Sequence, residues 1–305
     1  MYYYCTLFNQ NYLTRGIAMI ESLQKYAKNA TIFVLAFDKT TYDVLESLQF
    51  HQVKIISLQD FEDTALLAIK PTRTLGEYCW TCTPSLIAYC IHTFNLPHCT
   101  YVDADVYFFE NPNVLIDEMQ TDSILLTKHN YTPQYNQEAT SGIYCVQFMT
   151  FKADSYGLKA LVWWREQCLK WCYAYYEDGK FGDQKYLDDW DTRFEKVHIV
   201  KEMRAALAPW NIQQFSHLKP IFYHFHNLSF IGQTKVDLGN YTLPKVSIER
   251  IYKPYLAHLL SLRRTFMPHN FDGRKHLKWH IKTPFTLLKR YLKGIYNIYP
   301  LKRLL

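Results

Sequence analysis

Apolar and polar positions alternate along the first sixty residues in blocks of changing period. YYYCTLF at 2–8 is a compact β-forming run. From Leu13 to Ala27 the period lengthens, and Leu13, Ile17, Ile20 and Leu23 fall on one helical face. ATIFVLAFD is a buried strand that ends in an acid, TTYDVLESLQF a short helix and QVKIISL a third strand. This β-α-β-α-β order predicts a mainly parallel sheet with helices on both faces. Ligands of such sheets bind at the carboxyl ends of the strands.

Further along, CTPSLIAYCIHTF reads as a helix with Pro84 in its first turn. SILLT, SGIYCVQFMTFKAD and KVHIV read as strands, and GLKALVWWREQCLKWCYAYY as a long aromatic helix carrying Cys168 and Cys172 four residues apart. EDGKFGDQKYLDDW is a polar loop rich in carboxylates, and PIFYHFHNLSF is strand-like with histidines at 224 and 226. Beyond about residue 245 the pattern turns helical, aromatic and basic. The expected division is 1–245 for the α/β domain and 246–305 for a basic, aromatic helical extension.

TYVDADVYFFENP at 100–112 breaks the apolar pattern. Asp103 and Asp105 stand inside an otherwise strand-like stretch, and a buried carboxylate without a partner is costly. Residues i and i+2 of a strand face the same way, so at a strand end both can address one point. Two hard oxygen ligands suit Mg²⁺ or Mn²⁺. Capping of the strand, or an arginine partner, is the alternative.

Composition narrows the class. The chain has 305 residues, nearly half of them apolar, with 17% aromatics, 25 tyrosines and only 10 glycines. That supports a substantial core and argues against disorder. No apolar run is long enough to span a bilayer, and the N-terminus reads as a strand and not a signal peptide, so a cytosolic protein is expected. The eight cysteines then read as reduced core residues, Cys79-x-x-Cys82 included. Neither G-x-G-x-x-G nor G-x-x-x-x-G-K-[ST] follows the first strand. The net charge of +6 is uneven: from residue 251 onward twelve Lys and Arg face one acid, leaving 22 basic against 27 acidic residues before it. A basic aromatic tail suits an anionic membrane surface, with a solvated helix as the alternative and nucleic acid unsupported by any motif.

In this context YVDADVYFFENP resembles the D-x-D segment of nucleotide-sugar glycosyltransferases with the GT-A fold. CTLFNQNYLTRGIAMIESLQKY resembles the first strand and helix of glycosyltransferase family 8, FGDQKYLDDW its D-Q-x-x-L-N segment, LAPWNI its Leu-Pro-x-x-Trp-Asn-like stretch and YHFHNL its H-F-x-G element. The resemblance runs in order over about residues 2–230. It departs where family 8 has an arginine before D-x-D (here Glu77, Tyr78 and Trp80), where N-A-G becomes Tyr144 to Gln147, and where glycine becomes Asn227 with no K-P-W after it. Bacterial surface-polysaccharide transferases with E-Y-x-W-T-x-x-P and G-D-Q-K-Y-L-D-x-W motifs are nearer.

The resemblance implies a metal-dependent transfer of sugar from a nucleoside diphosphate sugar, a UDP-sugar first, to a glycan or glycolipid of the lipopolysaccharide or surface-polysaccharide kind. The basic aromatic tail points to a peripheral location at the inner face of the cytoplasmic membrane. The resemblance assigns the metal to Asp103, Asp105 and His224, with His226 substituting or assisting. Thr6 and Tyr12 would meet the base, and Gln147 falls in the donor segment; Arg73 and Lys70 are phosphate candidates on their charge alone. Asp183 and Gln184 would lie at the anomeric carbon, with Asp183, Asp188 or Asp189 as base if configuration inverts. Trp210 and Asn211 shape the acceptor site or sit in the core. A sugar nucleotidyltransferase would want a glycine-rich basic loop that TLFNQNYLTRG lacks; a membrane-tethered binding protein without turnover is the remaining alternative.

Overall fold

The computed structural model describes residues 1–266 and 283–304. Its centre is a seven-stranded sheet in the order β3-β2-β1-β4-β7-β6-β8. The strands are β1 (Tyr2–Phe8), β2 (Ala30–Ala36), β3 (Val53–Ser57), β4 (His98–Val102), β6 (Ile124–Lys128), β7 (Tyr144–Lys152) and β8 (Val197–Ile199). Only β7 runs antiparallel to its neighbours, so the mainly parallel sheet expected from the pattern is present. Apolar strand residues bury on both faces, as a sheet covered by helices on both sides requires. On one face Phe33, Leu126 and Phe151 pack with Leu86, Ile87 and Trp164; on the other Val34 and Phe148 pack with Ile17 and Ile20.

Helix α1 (Leu13–Tyr26) and helix α2 (Lys39–Ser47) match their apolar periodicity. Helix α3 (Leu75–Thr93) starts nine residues before Pro84, which therefore lies in its interior and not its first turn. The reason is a reciprocal cap: Thr74 Oγ1 accepts from Glu77 N, and Glu77 Oε2 accepts from Thr74 N at 2.8 Å. Proline lacks the N–H that would bond the carbonyl four residues back, that of Trp80. Helix α4 (Ser155–Lys170) stops before Trp171, so Cys168 is helical and Cys172 is not. All eight cysteines are free thiols, seven of them buried.

The stretch read as one strand around D-x-D is two. Strand β4 ends at Val102, residues 103–105 turn, and β5 (Val106–Phe108) leaves the central sheet to pair antiparallel with β9 (Phe222–His224). Strands β10 (Ser229–Ile231), β11 (Lys235–Asp237) and β12 (Ile298–Pro300) form a third sheet.

The extension shares a core with the body. Tyr252 and, in helix α5 (Lys253–Phe266), Tyr255, Leu256 and Leu259 pack with Tyr223, Phe225 and Phe230, while Leu301 and Leu304 join from beyond β12. Helix α6 (Thr283–Leu292) is tied to the body by Arg290, whose guanidinium bonds Asp237 at 2.6 and 2.8 Å. Residues 267–282 of the basic tail lie outside the described residues. Among the described residues no helix is long and apolar enough to cross a membrane.

Candidate active site

The β5–β9 pairing assembles the site. It sets Val106 opposite His224, one residue past Asp105, and Phe225 N donates to Asp105 O at 2.9 Å. Asp103 N still reaches Gln147 O on β7 at 3.1 Å, and Val106 N closes a turn on Asp103 O at 3.1 Å. The two carboxylates thus converge through a turn between diverging sheets, not through strand alternation. His224 Nε2 is 3.2 Å from Asp105 Oδ1 and 3.9 Å from Asp103 Oδ2. One ligand atom from each of the three residues lies within 4.8 Å of the others.

The charges in this knot are unequal. Burial pushes Asp103 up to about 6, with Asp105 adding to the rise and His224 opposing it. Burial also opposes the Asp105 charge, but the His224 charge and hydrogen bond draw it down to about 2. Burial disfavours a charged His224, yet Asp105 raises it well above the usual imidazole range. Burial and the His224 charge press His226 down to about 4. The other ring nitrogen of His224 is committed: Nδ1 is 2.8 Å from Gln147 Oε1. An amide oxygen can only accept, so Nδ1 carries the proton and Nε2 is the nitrogen left for a cation. Gln147 is therefore a buried support of His224 and does not line the cleft.

These groups open on a cleft of about 610 Å³ at the carboxyl ends of β1 and β4. Of the residues singled out in the sequence, Tyr12, Asp103, Asp105, Asp183, Gln184, Trp210, His224 and His226 line it. Tyr12 is 42% exposed, and the Arg15 guanidinium sits 4.9 Å from its ring centre. Burial, then the Asp103 charge, raises Asp183 to about 8. Gln184 Nε2 donates to Ser141 O at 2.6 Å.

Other expected residues are elsewhere. Thr6 points into the β1 core and is fully buried; Asn9 and Asn11, just after the strand, take its place in the cleft. Arg73 lies 4.0 Å from the Tyr173 ring centre, and Lys70 pairs with Glu62. Asp188 accepts from Ile143 N at 2.7 Å and pairs with Lys185, and Asp189 pairs with Arg193. Asn211 is buried and donates to His129 O and Ala206 O. Cys79 faces the cleft, but burial pushes its thiol up to about 12.

Sequence reasoning missed Tyr101, whose hydroxyl donates to Asp103 Oδ1 at 3.0 Å; its position two residues before Asp103 was the available signal. It also missed His129, Tyr131 and Tyr241, and the wall of Trp80 and Phe181, with rings 6.3 Å apart. Gly182 has φ +54, and a Cβ there would lie 3.3 Å from Trp80, so this loop approaches the ring by lacking a side chain. Among the described residues no lysine or arginine lines the cleft. A second set of possible ligands, Cys5, Cys90 and Cys99, is buried outside the lining.

No family model matches the chain. Two uncharacterized proteins of Bacillus subtilis (strain 168) are similar over most of their length. YfnF is 29% identical over 294 residues, 88% of this chain and 96% of its own. YfnD is 26% identical over 275 residues, 85% and 88% respectively. Among solved structures, the galactosyltransferase LgtC in complex with donor and acceptor sugar analogues superposes with a TM-score of 0.53 at 11% identity, over 85% of this chain and 95% of its own. The bifunctional glycosyltransferase WbbM gives 0.51 at 10%, over 85% and 49%. GlyE of Streptococcus pneumoniae TIGR4 gives 0.50 at 11%, over 88% and 63%. The chain has the GT-A fold of these glycosyltransferases.

Proposed function

We propose that the protein is a metal-dependent glycosyltransferase of the family 8 kind that moves a sugar from a nucleoside diphosphate sugar, UDP-linked, to a glycan hydroxyl. The observation that carries this is the convergence of Asp103, Asp105 and His224 on one point of a cleft at the carboxyl ends of a mainly parallel sheet. The residues fit a divalent cation. They offer two carboxylate oxygens and the His224 Nε2, which faces both acids at 3.2 and 3.9 Å and could turn from them to a cation once its proton leaves. A bound Mn²⁺ or Mg²⁺ supplies charge that offsets the negative charge growing on a leaving diphosphate. With no lysine or arginine in the described lining, donor binding falls largely to that charge.

The chain's own groups would do the rest. Asn9, Asn11 and Tyr12, at the end of β1, would hold the nucleoside. Asp183 keeps its proton at neutral pH, so it would donate a hydrogen bond to a donor-sugar hydroxyl and would not act as base. Gln184, braced on Ser141 O, would face the anomeric carbon. With Asp188 and Asp189 tied up outside the cleft, no carboxylate of the described lining other than Asp103 and Asp105 is poised as a base, which favours retention of configuration.

For the acceptor, a surface glycolipid fits the exposed face of α6. Phe285, Leu288, Tyr291 and Leu292 are 69, 54, 62 and 76% exposed beside the exposed Lys289 and Lys293, a composition suited to an anionic membrane interface at the inner face of the cytoplasmic membrane, with lipopolysaccharide or surface polysaccharide as product.

Thermal unfolding with a panel of nucleoside diphosphates, with and without Mn²⁺, tests the core of this reading, because a ligand that binds the folded state raises its stability. UDP should give the largest shift, and only with metal. An equal shift in EDTA would sink the metal site.

A further inference from the structure

We infer that Tyr131 and Tyr241, backed by the buried Trp210, form a stacking subsite for a pyranose ring of the acceptor; the inference rests on the transferase reading above. All three rings line the same cleft as the carboxylates. The wall starts at the cation set, for the Trp210 ring is 5.4 Å from His224 and 5.5 Å from His226. Tyr131 stacks on His129 at 4.7 Å with planes 13° apart, and its centre is 6.1 Å from Trp210. The Tyr135 ring backs Tyr241 edge-on at 4.9 Å.

Each ring is held before any ligand arrives. Trp210 Nε1 donates to His129 O at 2.9 Å. The strap that carries Tyr241 is pinned from the far end of the chain: Asn297 Nδ2 donates to Tyr241 O at 2.6 Å, and both Asn297 and Arg290 donate to Gly239 O. Tyr135 OH accepts from Thr242 N at 2.8 Å on the same strap. Pinned rings give large contact area at little entropic cost on binding.

The chemistry of the wall selects its ligand. Tyr131 and Tyr241 remain half-buried, which a purely structural aromatic cluster would not require. Polar groups edge the wall, namely Gln137, whose Nε2 lies 3.4 Å from Tyr241 OH, and Ser141. An apolar face beside hydroxyl and amide groups matches a pyranose, which presents C–H bonds on one face and hydroxyls around its edge. An anionic ligand would want cations, and the described lining has no lysine or arginine. The donor has other places in the lining: Asn9, Asn11 and Tyr12 at the end of β1, and Asp183, which feels the Asp103 charge. The wall flanks His224 instead.

Saturation-transfer NMR on the full chain with UDP and Mg²⁺ tests this, using methyl glucoside, methyl galactoside and methyl N-acetylglucosaminide as probes. At least one should bind to the wild type through its ring protons. Tyr131→Ala and Tyr241→Ala should each weaken that probe about fivefold or more, the size expected for one aromatic contact, and Tyr131→Phe should retain it. UDP affinity on the same samples reports the donor half separately. Absence of UDP binding by the wild type would strike the transferase reading. If UDP binds but no probe does, or if both alanine variants bind the probe like wild type, the sugar wall is refuted.

Discussion

The protonation pattern around D-x-D dictates how metal affinity must depend on pH. Without a cation, Asp105 at about 2 is ionised throughout the working range, Asp103 at about 6 is partly protonated in mildly acidic solution, and His224 is raised well above 6.5. A divalent ion needs Asp103 ionised and the Nε2 of His224 free, so binding must expel whatever protons they hold. Between pH 7.5 and 5.5 protonation of Asp103 alone costs about fourfold in affinity, and the proton held on the raised His224 adds to that loss in the same direction. Proton release per ion should therefore increase as pH falls through about 6, where Asp103 takes up its proton. Electron paramagnetic resonance of free Mn²⁺, with no nucleotide present, gives the affinities. Calorimetry in buffers of different ionisation enthalpy counts the protons. A flat affinity from pH 5.5 to 7.5 would refute the reasoning, because no coupled set of these three groups can bind a cation without releasing protons there.

Gln147→Leu removes the acceptor that holds His224 Nδ1–H and should weaken Mn²⁺ binding by about 10- to 100-fold, whereas Gln147→Glu, which still accepts, should retain it; equal affinities for wild type and the leucine variant would reduce Gln147 to packing. Asp183→Asn should stabilise the metal-free protein in alkaline solution. The folded value of about 8 lies above the usual 3.8, so this group's stabilising contribution is complete below pH 3.8 and is lost as pH rises through 8. The melting temperature of the variant should accordingly draw ahead of wild type from pH 4 to 8 and then run level; a constant gap would mean that Asp183 does not titrate as argued. Leu288→Glu with Leu292→Glu, both on the exposed face of α6, should abolish co-sedimentation with phosphatidylserine vesicles at low salt. Unchanged sedimentation would remove α6 as the membrane contact.

Local pattern made the central sheet legible. The runs at 2–8, 30–36 and 53–57 are strands because they are short, apolar and separated by amphipathic helices, and the structure has them parallel and adjacent. The two aspartates were legible as an anomaly of charge in an apolar stretch. What stayed hidden depends on long-range pairing. Nothing near residue 106 announces that β5 abandons the sheet for β9, yet that exchange brings His224 to Asp105; only the resemblance of YHFHNL pointed there. Pro84 looked like a helix start because proline suits a first turn, and the stronger signal, Thr74 followed by Glu77, was overlooked. Thr6 was chosen for its position near a strand end, but strand alternation turns it inward. Arg73 was chosen for charge alone and is occupied by Tyr173. The role of Gln147 could not be read because its partner is 77 positions away. The aromatic wall draws on residues 131, 210 and 241, which no short motif joins.

The pinning of the Tyr241 strap by Arg290 and Asn297 also bears on how the protein is made. Chains fold from the N-terminus as they emerge, so the central sheet and the carboxylate pair can form early in synthesis. The strap cannot be fixed until β12 pairs with β11 and Asn297 reaches Gly239 and Tyr241. A nascent chain would thus have the β1 and β4 side of its cleft before the Tyr241 wall has set, and on the proposed reading nucleotide binding would precede sugar-acceptor binding during biosynthesis. Cutting the chain near residue 251 would leave that order incomplete and would also strip Tyr252, Tyr255, Leu256 and Leu259 from the core they share with Tyr223, Phe225 and Phe230.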